Sequence, residues 1–442
     1  MINAVKSSDG SQKQIIVADG VSNSDAYTFN PINTTWTPHG LSLTTGSKAQ
    51  FESFLNGFFM VNFTDATRYN DLTQWYTTTN VTNAAKAKYI KLYLGRLYLA
   101  YVVSGGTTYP SKLTYSNLPT GTPLTTTWND TLNFIDVDSD NGDVITGLEV
   151  NASRLIIFKN KSMYLYDTNT LQQLPGCPGT ISQRSVANIQ GHTLYLHTSG
   201  IWDFTGSNSV LISRKIQDII DGINSKFFYN ASSVVLGDHY YLFVGDINNT
   251  DTGLTISKCL IDYNIALNSF TWRSLKDSPL CFIAYPDIST NITYDDPNIT
   301  YDDANTLYDG GLGGADKIFF GSDLGGVYQF NTGGTFDTKN ISMSIETKDL
   351  FLDYPAYWKL MQKVYVFNSY AGKGRLIVQA KLDDDDWLSL SPSSHDKLEY
   401  LFPKGSKGRR VRFRIMESSN GKPFAFEGLD IYFTATGLVR NG

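Results

Sequence analysis

The sequence predicts an all-β chain: a β-propeller of six to eight blades over residues 1–338, with seven as the count, then an antiparallel β-sandwich over 339–442. Three observations lead there. Short runs rich in Tyr, Phe, Val, Ile and Thr are bounded by Gly, Asn, Asp and Ser, the chemistry of strands and turns. One phrase recurs: a turn, a short apolar strand, a second turn, an aromatic strand. After Gly333-Gly334 the strands lengthen and carry more charge. Small sheets repeated every ~40–50 residues are the mark of a propeller, because no blade buries both faces alone. The spacing here is irregular, and a two-sheet sandwich array is the competing architecture.

The phrases run in this order. Gln14 to Val17 with Ala26 to Phe29 is a partial first copy. Asn56-Gly57 opens Phe58 to Val61, followed by Ala66 to Tyr69. Gly95 opens Arg96 to Ala100. Ser153 opens Arg154 to Phe158, and Lys161-Ser162 turns into Met163 to Tyr166. Gly191-His192 opens Thr193 to Leu196, and Ser199-Gly200 turns into Ile201 to Phe204. Gly237-Asp238 opens Tyr240 to Val244. Asp316 opens Lys317 to Phe320, and Gly325-Gly326 turns into Val327 to Phe330. A tandem duplication, Asn291 to Pro297 and Asn298 to Asp303, reads as a polar loop insertion. One helix is expected, capped by Ser213, with Ile216, Ile219, Ile220 and Ile223 on one face and Gly222 and Asn224 at its end. In the last segment, Lys363 to Phe367, Arg375 to Lys381, Arg409 to Met416 and Phe424 to Thr434 alternate as sandwich strands do.

Composition excludes several classes. Charged residues are 18% and aromatics 13%, the reverse of a disordered chain. No apolar run of 18 residues exists to span a membrane, and the N-terminus lacks a signal-peptide apolar region. Three cysteines, Cys177, Cys259 and Cys281, are too few for a disulfide scaffold and form no CxxC pair. The five histidines, His39, His192, His197, His239 and His395, are scattered and read as packed or surface side chains. Net charge is −6. Residues 341–442 hold 15 Lys and Arg against 12 Asp and Glu, a net +3, which leaves −9 for the rest.

Few segments carry chemistry. Asp136 to Gly142 resembles the start of a calcium loop, but its sixth position is Asn141 and its twelfth Gly147, so an Asp/Asn/Gly turn is expected. The run Asp383-Asp384-Asp385-Asp386 reads as an acidic turn. Arg410, Arg412 and Arg414 alternate with apolar Val411, Phe413 and Ile415, which makes an outward basic stripe. Three like charges in a row call for acid opposite, from the Asp383–Asp386 turn or a neighbouring subunit. These seven residues are the expected interface; nucleic acid phosphate is the other candidate. No Gly-x-Ser-x-Gly elbow, phosphate loop or His-Glu-x-x-His occurs, and no Asp-box repeat. No enzyme activity, metal or cofactor is expected.

Two stretches carry a resemblance. One is Gly142-Asp143-Val144-Ile145-Thr146-Gly147-Leu148, leading through Leu155 to Tyr164. The other runs from Gly179-Thr180-Ile181-Ser182-Gln183-Arg184-Ser185-Val186 through Ser199 to Gly206 and on to Ile212-Ser213-Arg214-Lys215-Ile216. Together they resemble the propeller proteins of tailed-phage virions, the packaged-DNA stabilisation (head-completion) and tail-nozzle proteins of short-tailed phages. Glu346 to Leu350 and Phe426 to Ile431 are similar to sandwich modules appended to such proteins. The resemblance implies a virion structural protein made in the host cytoplasm. It further implies a six-fold homo-oligomeric ring below the portal, with other head-tail or tail proteins as partners and DNA in its channel. A receptor- or carbohydrate-binding propeller of the phage tail is the alternative, and a glycoside hydrolase the third reading.

Overall fold

The computed structural model describes residues 2–5, 12–20, 22–30, 35–287, 314–330, 335–336, 339–340, 343–352, 355–368, 376–393, 398–417 and 426–438. The duplication at 291–303, His395 and the Gly333-Gly334 punctuation lie outside them. The chain divides into two compact units, Met1–Phe330 and Asn331–Gly442.

The first unit is a β-propeller with seven sheets, each an antiparallel meander in chain order. Blade 1 has strands Ile2–Val5, Gln12–Asp19, Ser24–Asn30 and Thr35–Pro38. Blade 2 runs from Gln50–Phe54 to Trp75–Tyr76, blade 3 from Lys86–Tyr93 to Phe134–Asp136, and blade 4 from Ile145–Asn151 to Leu171–Gln173. Blade 5 runs from Ala187–Ile189 to Ser209–Leu211, and blade 6 from Ser232–Leu236 to Ser269–Ser274. Blade 7 shows three strands among the described residues, Pro279–Asp287, Gly314–Ser322 and Val327–Gln329. First strands are innermost. Gln50–Phe54 lies beside Lys86–Tyr93, which lies beside Ile145–Asn151; Ser232–Leu236 lies between Ala187–Ile189 and Pro279–Asp287. Between blades 4 and 5 the 3₁₀ turn Gln183–Ser185 packs on Ile145–Asn151. Pro279–Asp287 lies beside Ile2–Val5 and closes the ring.

The second strands show why the sequence folds this way. Gly57–Val61 is buried throughout, and Arg154–Lys159 is buried after its first residue. A strand between two neighbouring blades is covered on both faces, so it reads as a continuous apolar run. Alternation decides which neighbour each side chain meets. Leu155 and Ile157 pack toward blade 3 with Tyr98 and Ala100, whereas Ile156 and Phe158 pack toward blade 5 with Tyr195 and Phe204. The same division places Phe58 with blade 1 residues Ile15 and Ala26, and Phe59 with blade 3 residues Leu97 and Leu99. Each fully buried side chain of this size contributes roughly 1.5–3 kcal/mol.

The expected helix is split. A 3₁₀ turn, Ser213–Ile216, leads into the short α-helix Gln217–Asp221. Ile216, Ile219, Ile220 and Ile223 are buried against Leu242, Val244 and Ile247 of blade 6. Ser213 is not the cap: it is buried, and its hydroxyl accepts the Ile201 N–H at 3.0 Å. Asn224 caps the next turn, Ser225–Phe228, instead of ending the first.

The second unit is a β-sandwich. One sheet is ordered Met343–Glu346, Val411–Glu417, Ile377–Leu382, Leu388–Ser389. The other is built on Tyr357–Asn368, which pairs along its length with Phe426–Leu438. Val364 and Val366 meet Val378, Ala380, Val411, Phe413 and Ile415 in a single core.

Candidate functional site

The basic stripe is where alternation puts it. Arg410, Arg412 and Arg414 stand opposite the buried Val411, Phe413 and Ile415. Their acidic partners come from this same unit. Arg410 binds Asp349 at 3.0 Å and Asp384 at 2.5 Å. Arg412 spans Asp349 at 3.0 Å and Glu346 at 3.3 Å. Arg414 binds Glu346 at 3.0 Å and lies 4.0 Å over the Trp387 ring. Glu346 and Asp349 precede the stripe by some sixty residues, and nothing in the local pattern names them. The acidic turn divides in role. Asp383 has φ 48° and accepts the Arg409 and Arg410 backbone N–H groups at 3.0 and 3.1 Å. Asp384 is 91% exposed despite its ion pair, and Asp385 and Asp386 are exposed.

The calcium-like loop holds a cation of its own. Asp136 accepts Ser139, and Asp138 accepts Asn141 and the Tyr164 hydroxyl. Lys159, buried on the second strand of blade 4, brings its Nζ to the Asp138 carbonyl at 2.8 Å and Asn141 Oδ1 at 3.1 Å. A tethered ammonium thus occupies the loop, consistent with the expected turn. No group of three metal-ligating side chains occurs among the described residues.

Two histidines make a pattern that their sequence spacing hides. His192 opens the second strand of blade 5 and pairs with Asp203 at 2.8 Å; His239 opens the second strand of blade 6 and pairs with Asp262 at 2.7 Å. In both blades the Asp lies across from the residue two places after the His. These are matching cross-strand ties.

The inner wall holds the charged groups that sequence reading missed. Arg184, on the 3₁₀ turn before blade 5, donates to the Leu280 carbonyl of blade 7 at 3.0 Å and to the Ala49 carbonyl beside blade 2 at 3.2 Å. Lys48 crosses similarly to the Tyr229 carbonyl at 2.9 Å and Asn230 Oδ1 at 2.6 Å. Gln183 holds both backbone groups of Leu148 in blade 4, and Ser182 holds the Ala231 carbonyl ahead of blade 6. Further round, Lys91 of blade 3 pairs with Glu149 of blade 4 at 2.7 Å, and Asn188 of blade 5 donates to the same carboxylate at 3.1 Å. Burial pushes the neighbouring Glu52 carboxyl up to about 7, against the pull of Lys91 and with Glu149 adding to the rise. Lys91 itself is held above its ordinary value: burial opposes its charge, but Glu149 and Glu52 outweigh burial. The one available signal was polar residues on first strands of otherwise apolar blades.

No protein-family model matches the chain, and no curated protein matches it in sequence. Among solved structures, an exo-β-1,3-galactanase from Phanerochaete chrysosporium, in a structure with galactose, aligns over 95% of this chain and 100% of its own. Identity is 10% and the TM-score 0.28. A likeness that slight transfers neither fold nor activity.

Proposed function

We propose that the chain is a structural component of a tailed-phage virion, one subunit of a six-fold ring in the tail nozzle or head-to-tail region that retains and conducts packaged DNA. The observation that carries this reading is the use made of residues 179–216, the longer of the two stretches that resemble those proteins. They build blade 5 and send Gln183 and Arg184 to blades 4, 2 and 7. Such ties make a stiff body, as a load-bearing part requires. They also cross the propeller's own axis, so DNA would run between subunits along the axis of the ring. Sedimentation and electron microscopy of the purified protein, alone and with its virion partners, test the proposal. A closed ring supports it; a monomer under every condition overturns it.

A glycoside hydrolase is the second reading, and Glu52 favours it. A carboxyl protonated near neutrality is what a general acid needs beside a second carboxylate. Glu149, the candidate second group, is tied to Lys91 and Asn188. Polysaccharide turnover abolished by Glu52→Gln would establish this reading. Turnover absent, or unchanged by the substitution, removes it.

A further inference from the structure

At one point the inner wall opens into a pocket of ≈170 Å³ lined by Gln50, Arg184, Ser232, Ser233 and Cys281, with Ala49, Phe51 and Phe282 completing it. It draws on blades 2, 6 and 7 and on the turn before blade 5. At roughly 30 Å³ per water, it holds about five or six waters. Its charge is balanced only in part: burial raises the Cys281 thiol, but the Arg184 charge helps hold it below its ordinary value. Arg184 has five donors and spends one on each of two carbonyls, which leaves three. Gln50 accepts the Ile90 N–H through Oε1 at 3.2 Å, which leaves its amide nitrogen to donate. The Ser232 and Ser233 hydroxyls rest on the Pro279 and Arg184 carbonyls and can turn to a better acceptor. Lys48 and Lys88 add positive charge nearby. Among the described residues, no carboxylate pairs with Arg184, Lys48 or Lys88.

We propose that this pocket is a binding site for a small tetrahedral oxyanion, a phosphate or sulfate group, held by Arg184 with Gln50 and the serine hydroxyls. A half-buried cation with no carboxylate partner is under-compensated, and a planar guanidinium fork matches an oxyanion better than an ammonium does. The local cations feel the imbalance: Lys48 is pushed down to about 8, first by burial and then by the charges of Arg184 and Lys88. The pocket's volume admits one such group, and a nucleic acid strand does not fit it.

Calorimetric titration with inorganic phosphate, in chloride buffer at constant ionic strength, tests the site. The wild-type protein should bind one equivalent. Loss of one charge-assisted contact in Arg184→Gln should weaken binding at least about tenfold. Because Arg184 also ties blades together, Cys281→Met provides an independent check: it fills the pocket, keeps the guanidinium and should abolish binding in a folded protein. A parallel titration with glucose 6-phosphate separates the sources. Tighter binding than phosphate marks a phosphorylated ligand, and weaker binding marks the free ion. No phosphate binding by the wild-type protein, or binding unchanged in Cys281→Met, overturns the proposal.

Discussion

The Arg184 guanidinium donates to the carbonyl of Ala49, 135 residues earlier in the chain, at 3.2 Å. One residue from the turn before blade 5 thereby reaches the approach to blade 2, and its second arm reaches blade 7. The ring is closed by strands and also tied across its axis by a side chain. Arg184→Met should leave two carbonyls without their donor and cost about 2–3 kcal/mol in urea unfolding. Arg184→Lys should recover less than half of that, since a single ammonium does not span both carbonyls as the fork does. A loss below about 0.5 kcal/mol in Arg184→Met would show the tie to be incidental.

Glu52 makes stability depend on pH. Its carboxyl titrates near 7 in the folded chain, against 4.5 for the ordinary group, chiefly because burial disfavours the charge. The folded state therefore holds a proton that the unfolded chain has released. Stability from this group is full below pH 4.5 and is lost as pH rises to about 7. Glu52→Gln keeps the shape and removes the titration. It should raise stability at pH 8 by on the order of 2 kcal/mol and leave stability at pH 4 nearly unchanged. Equal effects at both pH values would refute the assignment.

Lys159 tests the loop it fills. Lys159→Met keeps the buried stem but takes the donor from the Asp138 carbonyl and Asn141 Oδ1. Asp138 and Asn141 are exposed, so water can take the place of the lost donor and the expected loss is about 1–2 kcal/mol. Thermal and urea denaturation measure it. An unchanged midpoint would mean that water replaces the ammonium without penalty.

How much of this was legible follows from where each strand lies. The repeated phrases, such as Arg154 to Phe158 with Met163 to Tyr166, are the second and third strands of their blades. The second strands, covered on both faces, must be apolar, so composition betrays them. Some first and fourth strands are short and leave little pattern: Ala187–Ile189 and Leu171–Gln173 have three residues each. Others, such as Lys86–Tyr93 with Tyr89 and Ile90 buried and Ile145–Asn151 with Ile145 and Leu148 buried, carry apolar residues that a closer reading would find. The alternation of Arg410, Arg412 and Arg414 was equally readable, because period 2 follows from the strand alone. Their partners Glu346 and Asp349 were not, since pairing of Met343–Glu346 with Val411–Glu417 is a long-range fact. Arg184 and Lys48 were invisible for the same reason: their acceptors, three backbone carbonyls and Asn230 Oδ1, lie some 96 to 182 residues away in the chain.

The arginine stripe and the acidic turn now separate into two predictions within one experiment. Arg410, Arg412 and Arg414 already meet Glu346, Asp349 and Asp384, so their charge is balanced within the unit. These groups are partly exposed, and each pair contributes at most about 1 kcal/mol. Single Arg→Gln changes should therefore move unfolding midpoints little. Replacing all three by Glu should destabilise the sandwich, because new negative charges would face Glu346 and Asp349. Subunit contact, if this edge provides it, falls instead to Asp385 and Asp386, which are exposed beside the exposed Asp384. Asp385→Lys with Asp386→Lys should leave circular dichroism and midpoint unchanged and should weaken assembly of the proposed ring in sedimentation. A double variant that assembles like wild type would place the contact elsewhere. A triple-Glu variant as stable as wild type would show that the ion pairs in this stripe are absent in solution.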